Sequence, residues 1–278
     1  MTDAGPFTLD DDLLITADAA AVLPRLPDGA FELIYIDPPF NTGRMQRARR
    51  ISVVRDPAGE RSGFGGRRYS ARTVSALSYP DLHDDYAAFL LPKLARAREL
   101  LAPEGTLYVH LDYREAHYVK VALDEIFGRD CFLNEIVWAY DYGGKPLRRW
   151  PAKHDTILVY VRDPRRYLFD AEAVEREPYM APGLVGPEKA ARGKRPTDVW
   201  WHTIVPTNGA ERTGYPTQKP EGVLRRIVAA SSRPGGWCLD FFAGSGTLGA
   251  VCARQGRRYV LIDCNPQATA LALARLTR

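Results

Sequence analysis

The chain has 278 residues, 45% apolar and 26% charged, ordinary values for a globular protein long enough to bury a sizeable core. No apolar run nears the roughly 20 residues that cross a bilayer, and Met1-Thr2-Asp3-Ala4 lacks a basic-then-apolar leader pattern, so the expected compartment is the cytoplasm. The net charge of +4 combines 31 Arg with only 7 Lys; Arg suits phosphate and guanine, although a GC-rich gene raises Arg as well.

Apolar runs alternate with helical patterns, which predicts an α/β sheet. Leu13-Leu14-Ile15-Thr16 reads as a strand, followed by a short helix from Ala19 to Leu26. Phe31 to Ile36 is nearly all apolar, as in a buried parallel strand. Nine Arg then lie between Arg44 and Arg72 against two acids, Asp56 and Glu60, interleaved with Gly59, Gly63, Gly65 and Gly66. Such a segment predicts a coreless loop over 41–76, mobile until a polyanion orders it.

Asp84 to Leu101 is an amphipathic helix, Thr106 to Leu111 a strand, and Tyr113 to Phe127 a helix closed by Gly128. Cys131 to Tyr140 and Thr156 to Val161 read as strands joined by a basic stretch with Lys145, Arg148 and Arg149. Periodicity then fails from Asp163 to about Arg212, where prolines recur and Lys189, Arg192, Lys194 and Arg195 cluster. A helix from Glu221, the strand Trp237 to Leu239, a helix to about Gln255, the strand Arg258 to Asp263 and a last helix to Leu276 complete the pattern.

Two strand ends carry the chemistry. Asp240-Phe241-Phe242-Ala243-Gly244-Ser245-Gly246-Thr247 is a strand, glycine turn and helix start, as in many nucleotide sites. No Lys follows the last glycine, which excludes a phosphate loop, and the three-glycine dinucleotide pattern is incomplete. Asp263 ends the next strand, 23 residues after Asp240, a spacing that suits ribose hydroxyls. A nucleoside without pyrophosphate fits better than NAD or ATP; the plain alternative is an ordinary strand–helix turn. Tyr215-Pro216-Thr217-Gln218-Lys219-Pro220 reads either as the N-terminal turn of the next helix or as Thr217, Gln218 and Lys219 holding a cofactor's amino-acid end.

Asp37-Pro38-Pro39-Phe40 ends the other strand, the prolines holding it extended. A base's exocyclic amine is a poor nucleophile because its lone pair is delocalised into the ring. The Asp37 carboxylate and Pro38 carbonyl would accept both amino hydrogens more strongly as positive charge develops, and Phe40 would stack on a base taken out of the duplex. The alternative is a proline turn with a surface acid. Cys131, Cys238, Cys252 and Cys264 share no short paired spacing, so free thiols are expected. The five histidines, His83, His110, His117, His154 and His202, offer no metal-binding spacing, so no metal is expected and each is assigned a polar packing role.

Asp-Pro-Pro-Phe, Phe-Ala-Gly-Ser-Gly-Thr and the segment Glu211 to Pro220 together resemble the motifs of DNA amino-methyltransferases acting on adenine N6 or cytosine N4. Their order is similar to the permuted class called beta, with the catalytic motif before the cofactor motif. The likeness includes His154 to Leu158 and Trp201 to Pro206, and is weakest at 44–75 and 163–198. It implies a Rossmann-like methyltransferase fold, α/β with a mostly parallel sheet, helices on both faces, circularly permuted motif order and an inserted recognition region. The implied divisions are a catalytic half, 1–162, a target-recognition insertion, 163–211, and a cofactor half, 212–278.

By this resemblance Asp37, Pro38, Pro39 and Phe40 are catalytic, and the cofactor is S-adenosylmethionine. Its contacts would be Asp18, Thr217, Gln218, Lys219, the turn Asp240 to Thr247, and Asp263. Asp18 reads equally as a helix cap. Arg44, Arg47, Arg49, Arg50, Lys145, Arg148, Arg149, Lys189, Arg192, Lys194 and Arg195 would meet double-stranded DNA. An acid first in the catalytic motif points to adenine N6, with cytosine N4 the alternative. RNA methylation, protein-amide methylation and an inactive nucleic-acid-binding relative are the other readings. A homodimer is implied; a cognate restriction nuclease is compatible but not specified by the sequence.

Overall fold

The structure, a computed structural model, describes residues 5–62, 66–81 and 85–277, with 44–53 and 73–80 described by their backbone alone. In chain order, β1 (Leu13–Thr16) leads to a short α1 (Ala19–Val22), extended by a 3-10 turn, and to β2 (Phe31–Ile36). Then come β3 (Arg44–Arg55), β4 (Arg61–Ser62), β5 (Arg68–Asp81), α2 (Tyr86–Leu100), β6 (Leu101–Leu111) and α3 (Ala116–Phe127). They are followed by β7 (Phe132–Ala139), β8 (His154–Val161), α4 (Pro187–Arg192) and β9 (Val199–Trp201). Last come α5 (Glu221–Ser231), β10 (Trp237–Asp240), α6 (Thr247–Arg254), β11 (Arg258–Asp263) and α7 (Pro266–Leu276).

Eight strands form one sheet in the order β1-β11-β10-β2-β6-β8-β7-β9. Its pairs are parallel except β6–β8 and β7–β8, so β8 alone runs against the rest. β2 is apolar apart from Glu32 because both its faces are covered. Ile34 and Ile36 pack with α1, α2 and α3, whereas Leu33 and Tyr35 pack with α5 and α6.

Two expectations need correction. The segment 41–76 is not an irregular loop. β3 and β5 pair antiparallel from Arg44↔Asp81 to Arg55↔Tyr69, and β4 pairs with β5, making a second, three-stranded sheet. Its Ile, Val, Thr and Tyr residues suit strands, and ladder hydrogen bonds satisfy the backbone. The stretch 163–211 also contains regular structure: α4, and β9, which extends the sheet by pairing with β7 through Trp138↔Trp200. Three residues are too few for periodicity to reveal such a strand.

Candidate active site

β2 and β10 are neighbours, in register through Leu33↔Cys238 and Ile34↔Leu239. Strand order runs outward from this pair in opposite directions, which leaves a crevice at the carboxyl ends, where open α/β sheets hold ligands. A cleft of about 230 Å³ opens there. Asp37, Pro38, Pro39 and Phe40 line one side, and the turn after β10 lines the other.

The Lys219 ammonium donates to both Asp37 oxygens, at 2.7 and 2.6 Å, and lies 4.7 Å from the centre of the Phe40 ring. It is nearly buried, with 8% of its side chain exposed, against 18% for Asp37. Lys219, assigned above to the cofactor, thus sits on Asp37. Its neighbour Gln218 is committed to its own loop: Oε1 accepts from the Thr213 N–H and hydroxyl, both at 2.8 Å, and Nε2 donates to the Glu211 carbonyl at 2.7 Å. Thr247 at the start of α6 donates to the Lys219 carbonyl at 3.3 Å, tying this turn to the glycine turn.

A buried polar chain runs beneath Phe40. The Tyr35 hydroxyl meets His110 Nδ1 at 2.9 Å, His110 Nε2 meets Asp155 Oδ2 at 3.1 Å, and the Tyr140 hydroxyl donates to Asp155 Oδ1 at 3.0 Å. The His110 ring centre lies 6.0 Å from that of Phe40. Burial pushes the Asp155 carboxyl up, but the hydrogen bond and charge of His110, with Lys219 and Tyr140, outweigh it and hold the acid below its usual range. Sequence reasoning missed this chain. A His within an otherwise apolar strand, Leu107-Tyr108-Val109-His110-Leu111, was the available signal.

Every residue of the expected cofactor set lines the cleft except Gly246. A side chain on Gly246 would approach Ala272 Cβ of α7 at 2.8 Å, and its φ is +70°, so Gly246 serves packing and the turn. A side chain on Gly244 (φ +50°) would come within 3.1 Å of the Tyr215 ring, at the cleft wall. Asp263 accepts from Gly244 N–H and Asn265 N–H, both at 2.8 Å, which orients its carboxylate. Burial raises its pKa, and those two donors offset part of the rise. Asp240 is pushed well above the carboxylate range by burial, with its Phe242 N–H bond opposing and the charges of Asp37 and Asp263 adding. Asp18 lines the cleft and also caps α1, accepting from Ala20 N–H at 2.7 Å. The narrow glycine turn, the Phe242 ring and an oriented acid at the end of β11 fit the nucleoside end of S-adenosylmethionine.

The expected DNA contacts are dispersed. Arg44, Arg47, Arg49 and Arg50 lie on β3, and their side chains are outside the described residues. Lys145, Arg148 and Arg149 are exposed between β7 and β8, and Lys189 and Arg192 are exposed on α4. Lys194 pairs with Glu177 at 2.8 Å and Arg195 pairs with Glu172, so both already have partners. The hairpin is fastened directly behind Phe40: Asp81 accepts from Asn41 N–H at 2.7 Å and from the Thr42 hydroxyl. Cys131, Cys238 and Cys252 are buried free thiols and Cys264 is an exposed one. Among the described residues, no helix is long and apolar enough to cross a membrane.

Residues 31–274 match the N6/N4 methyltransferase family model, described as DNA methylase. The chain is 29% identical over 266 residues to the type II methyltransferase M.HpaI of Haemophilus parainfluenzae, covering 96% of this chain and 74% of that protein. It is 28% identical over 271 residues to the DNA adenine methyltransferase YhdJ of Escherichia coli, covering 95% and 82%. The crystal structure of the M1.HpyAVI–SAM complex superposes with a TM-score of 0.61 at 20% identity, covering 96% of this chain and 99% of that one. The chain therefore belongs to the N6/N4 DNA methylase family, enzymes that transfer a methyl group from S-adenosylmethionine to the exocyclic amine of adenine or cytosine in DNA.

Proposed function

We propose that this enzyme methylates N6 of adenine at a specific sequence in double-stranded DNA, acting on a base turned out of the helix. The observation that carries this reading is Asp37, an acid in first place of the catalytic motif, set in the cleft beside the Pro38 carbonyl and the Phe40 ring. The resemblance associates an acid there with adenine more often than with cytosine. When bound, S-adenosylmethionine supplies an electrophilic methyl on a sulfonium. Asp37 and the Pro38 carbonyl accept the two amino hydrogens, an interaction that strengthens as the nitrogen becomes pyramidal and positive. Lys219 keeps the Asp37 carboxylate fixed toward the cleft until the amine takes over its acceptor positions. Asp263 takes the ribose hydroxyls. Phe40 stacks on the base, supported from below by His110.

The region from Asp163 to Pro206 and the basic Lys145 to Lys153 connection are assigned to reading the sequence, and the Arg-rich hairpin to the phosphates. By family likeness the working unit is a homodimer, in which a second copy extends the small recognition region along the duplex; light scattering should give twice the chain mass. The base is tested by incubating unmethylated plasmid DNA with methyl-labelled cofactor and analysing the nucleosides by mass spectrometry. Label in N6-methyladenine is expected. Label in N4-methylcytosine would overturn the adenine assignment, and label only on RNA or protein would overturn the DNA reading for this chain.

A further inference from the structure

The loop between β7 and β8 carries two exposed apolar side chains that no role assigned so far uses. Leu147 is fully exposed, at 100%, and Trp150 is 95% exposed. Around them stand Lys145, Arg148, Arg149 and Lys153, with no acid from Tyr142 to His154. Lys145 and Arg148 have no ion-pair partner among the described residues. The loop is braced at its root: Lys153 Nζ donates to the Gly143 carbonyl and Tyr140 N–H to the Lys153 carbonyl, each at 2.9 Å. Arg149 reaches the Tyr113 hydroxyl at 3.4 Å, just past the end of β6. Pro146 and Pro151 limit the backbone on either side of the two apolar residues.

The root also joins the catalytic strand end. Tyr140 shares Asp155 with His110, and His110 lies under Phe40. Because β8 runs against its neighbours, its first residue lies at the same sheet edge as the carboxyl ends of β2, β6 and β7. The apolar tip is thus presented at the edge where the target base enters.

We propose that Leu147 and Trp150 form a wedge that enters the DNA stack and fills the space left by the extruded base, while the adjoining Lys and Arg contact the DNA beside it. This rests on the reading of the chain as a methyltransferase acting on a base turned out of duplex DNA. Turning out a base removes stacking from both its neighbours, and an inserted apolar side chain restores that contact. An indole face and a leucine stack on any base, so the wedge acts without reading sequence. The positive rim explains why these side chains face DNA rather than an apolar protein surface.

The sequence methylated by the wild type is first mapped on plasmid DNA. It is then built into two short duplexes, one fully paired and one with an abasic site opposite the target base, where little pairing opposes extrusion. Leu147→Ala/Trp150→Ala should lower kcat/KM on the paired duplex by about tenfold or more and on the opened duplex by less than about threefold. Trp150→Phe should retain most activity, since its ring still stacks. Unchanged S-adenosylmethionine affinity confirms that the double variant is folded. Equal losses on both duplexes overturn the wedge, as does full activity on the paired one, including when light scattering shows that the substitutions alter assembly. Wild-type protein that methylates neither duplex nor plasmid overturns the underlying function instead, so the two failures are distinguishable.

Discussion

Asp37 is held by two short bonds from Lys219, yet its work is proposed to come when a substrate amine replaces that ammonium. Asp37→Ala should therefore reduce turnover on the mapped DNA site by about 100-fold or more, the scale for removing one transition-state hydrogen-bond partner. Cofactor affinity should change little; near-normal turnover would remove Asp37 from the mechanism. Asp263 makes a separate prediction. Asp263→Ala should weaken S-adenosylmethionine binding by roughly 1.5–3 kcal/mol, as expected for hydrogen bonds to a charged group, which calorimetry measures directly. Burial raises the Asp263 pKa above the ordinary 3.8, so its protonated form persists to higher pH than that of a free carboxyl. The sign follows: ionised Asp263 opposes folding as pH rises through its raised pKa, and ribose hydroxyls donating to the carboxylate draw it back down. Cofactor affinity should strengthen as pH rises through a window lying above 3.8. Asp263→Asn should flatten that profile, and a wild-type profile already flat there would contradict the assignment.

At the scale of elements, the cofactor turn depends on how α5, α6 and α7 meet. Arg275 of α7 donates to Glu221 of α5 at 2.6 Å and to Thr247 of α6 at 3.0 Å, and the Arg275 and Glu221 side chains are 6% and 7% exposed. Burial pushes the Glu221 pKa up, but the bonds from Arg275 and Arg254 overcome it and hold the carboxylate below its ordinary 4.5. A depressed folded pKa stabilises above the unfolded value and loses that stabilisation as pH falls through the folded one. Arg275→Ala should cost about 2–4 kcal/mol in urea unfolding at neutral pH, somewhat less than a fully orphaned buried charge because Arg254 remains. The part of the acid-induced stability loss that Glu221 contributes should be smaller than in the wild type, because without Arg275 its folded pKa moves back toward the unfolded value. A loss under about 0.5 kcal/mol, within the range of ordinary surface substitutions, would show that the contact is not needed. Gly246→Val should also act through stability, by about 1–3 kcal/mol, because a side chain there meets Ala272 and the backbone is left-handed.

For the whole molecule, the question is how a basic appendage serves a site built on another sheet. The β3–β5 hairpin leaves the catalytic strand end directly, and Asp81 clamps its two ends at Asn41 and Thr42. Arg55, Arg61, Arg67, Arg68 and Arg72 are exposed along it. If the hairpin clamps phosphates, replacing Arg47, Arg49, Arg50 and Arg55 with Gln should weaken specific and non-specific DNA binding alike. The plot of log affinity against log salt should become shallower by about 0.9 for each phosphate no longer neutralised, with S-adenosylmethionine affinity unchanged. An unaltered slope would remove these four Arg from the DNA interface.

The sequence by itself determined the order of the elements outside 41–81 and 163–211 and the bounds of β2 and β11. β2 and β11 stand where their apolar runs predicted, because a strand covered on both sides is apolar along most of its length and this is visible locally. It also determined the two strand-end motifs, since prolines and glycines fix backbone shape within a few residues. Tertiary structure alone decided which side chains those motifs face. Lys219 reaches Asp37 across 182 positions, and His110 joins Tyr35 to Asp155 through strands that pair only in the folded sheet. The Arg-rich segment forms a hairpin through backbone pairing between distant strands, which composition does not report. Gly246 likewise reads in sequence as a cofactor glycine, whereas in the fold α7 packs against it. In each case the deciding partner lies far away in sequence, where local pattern carries no information about contact.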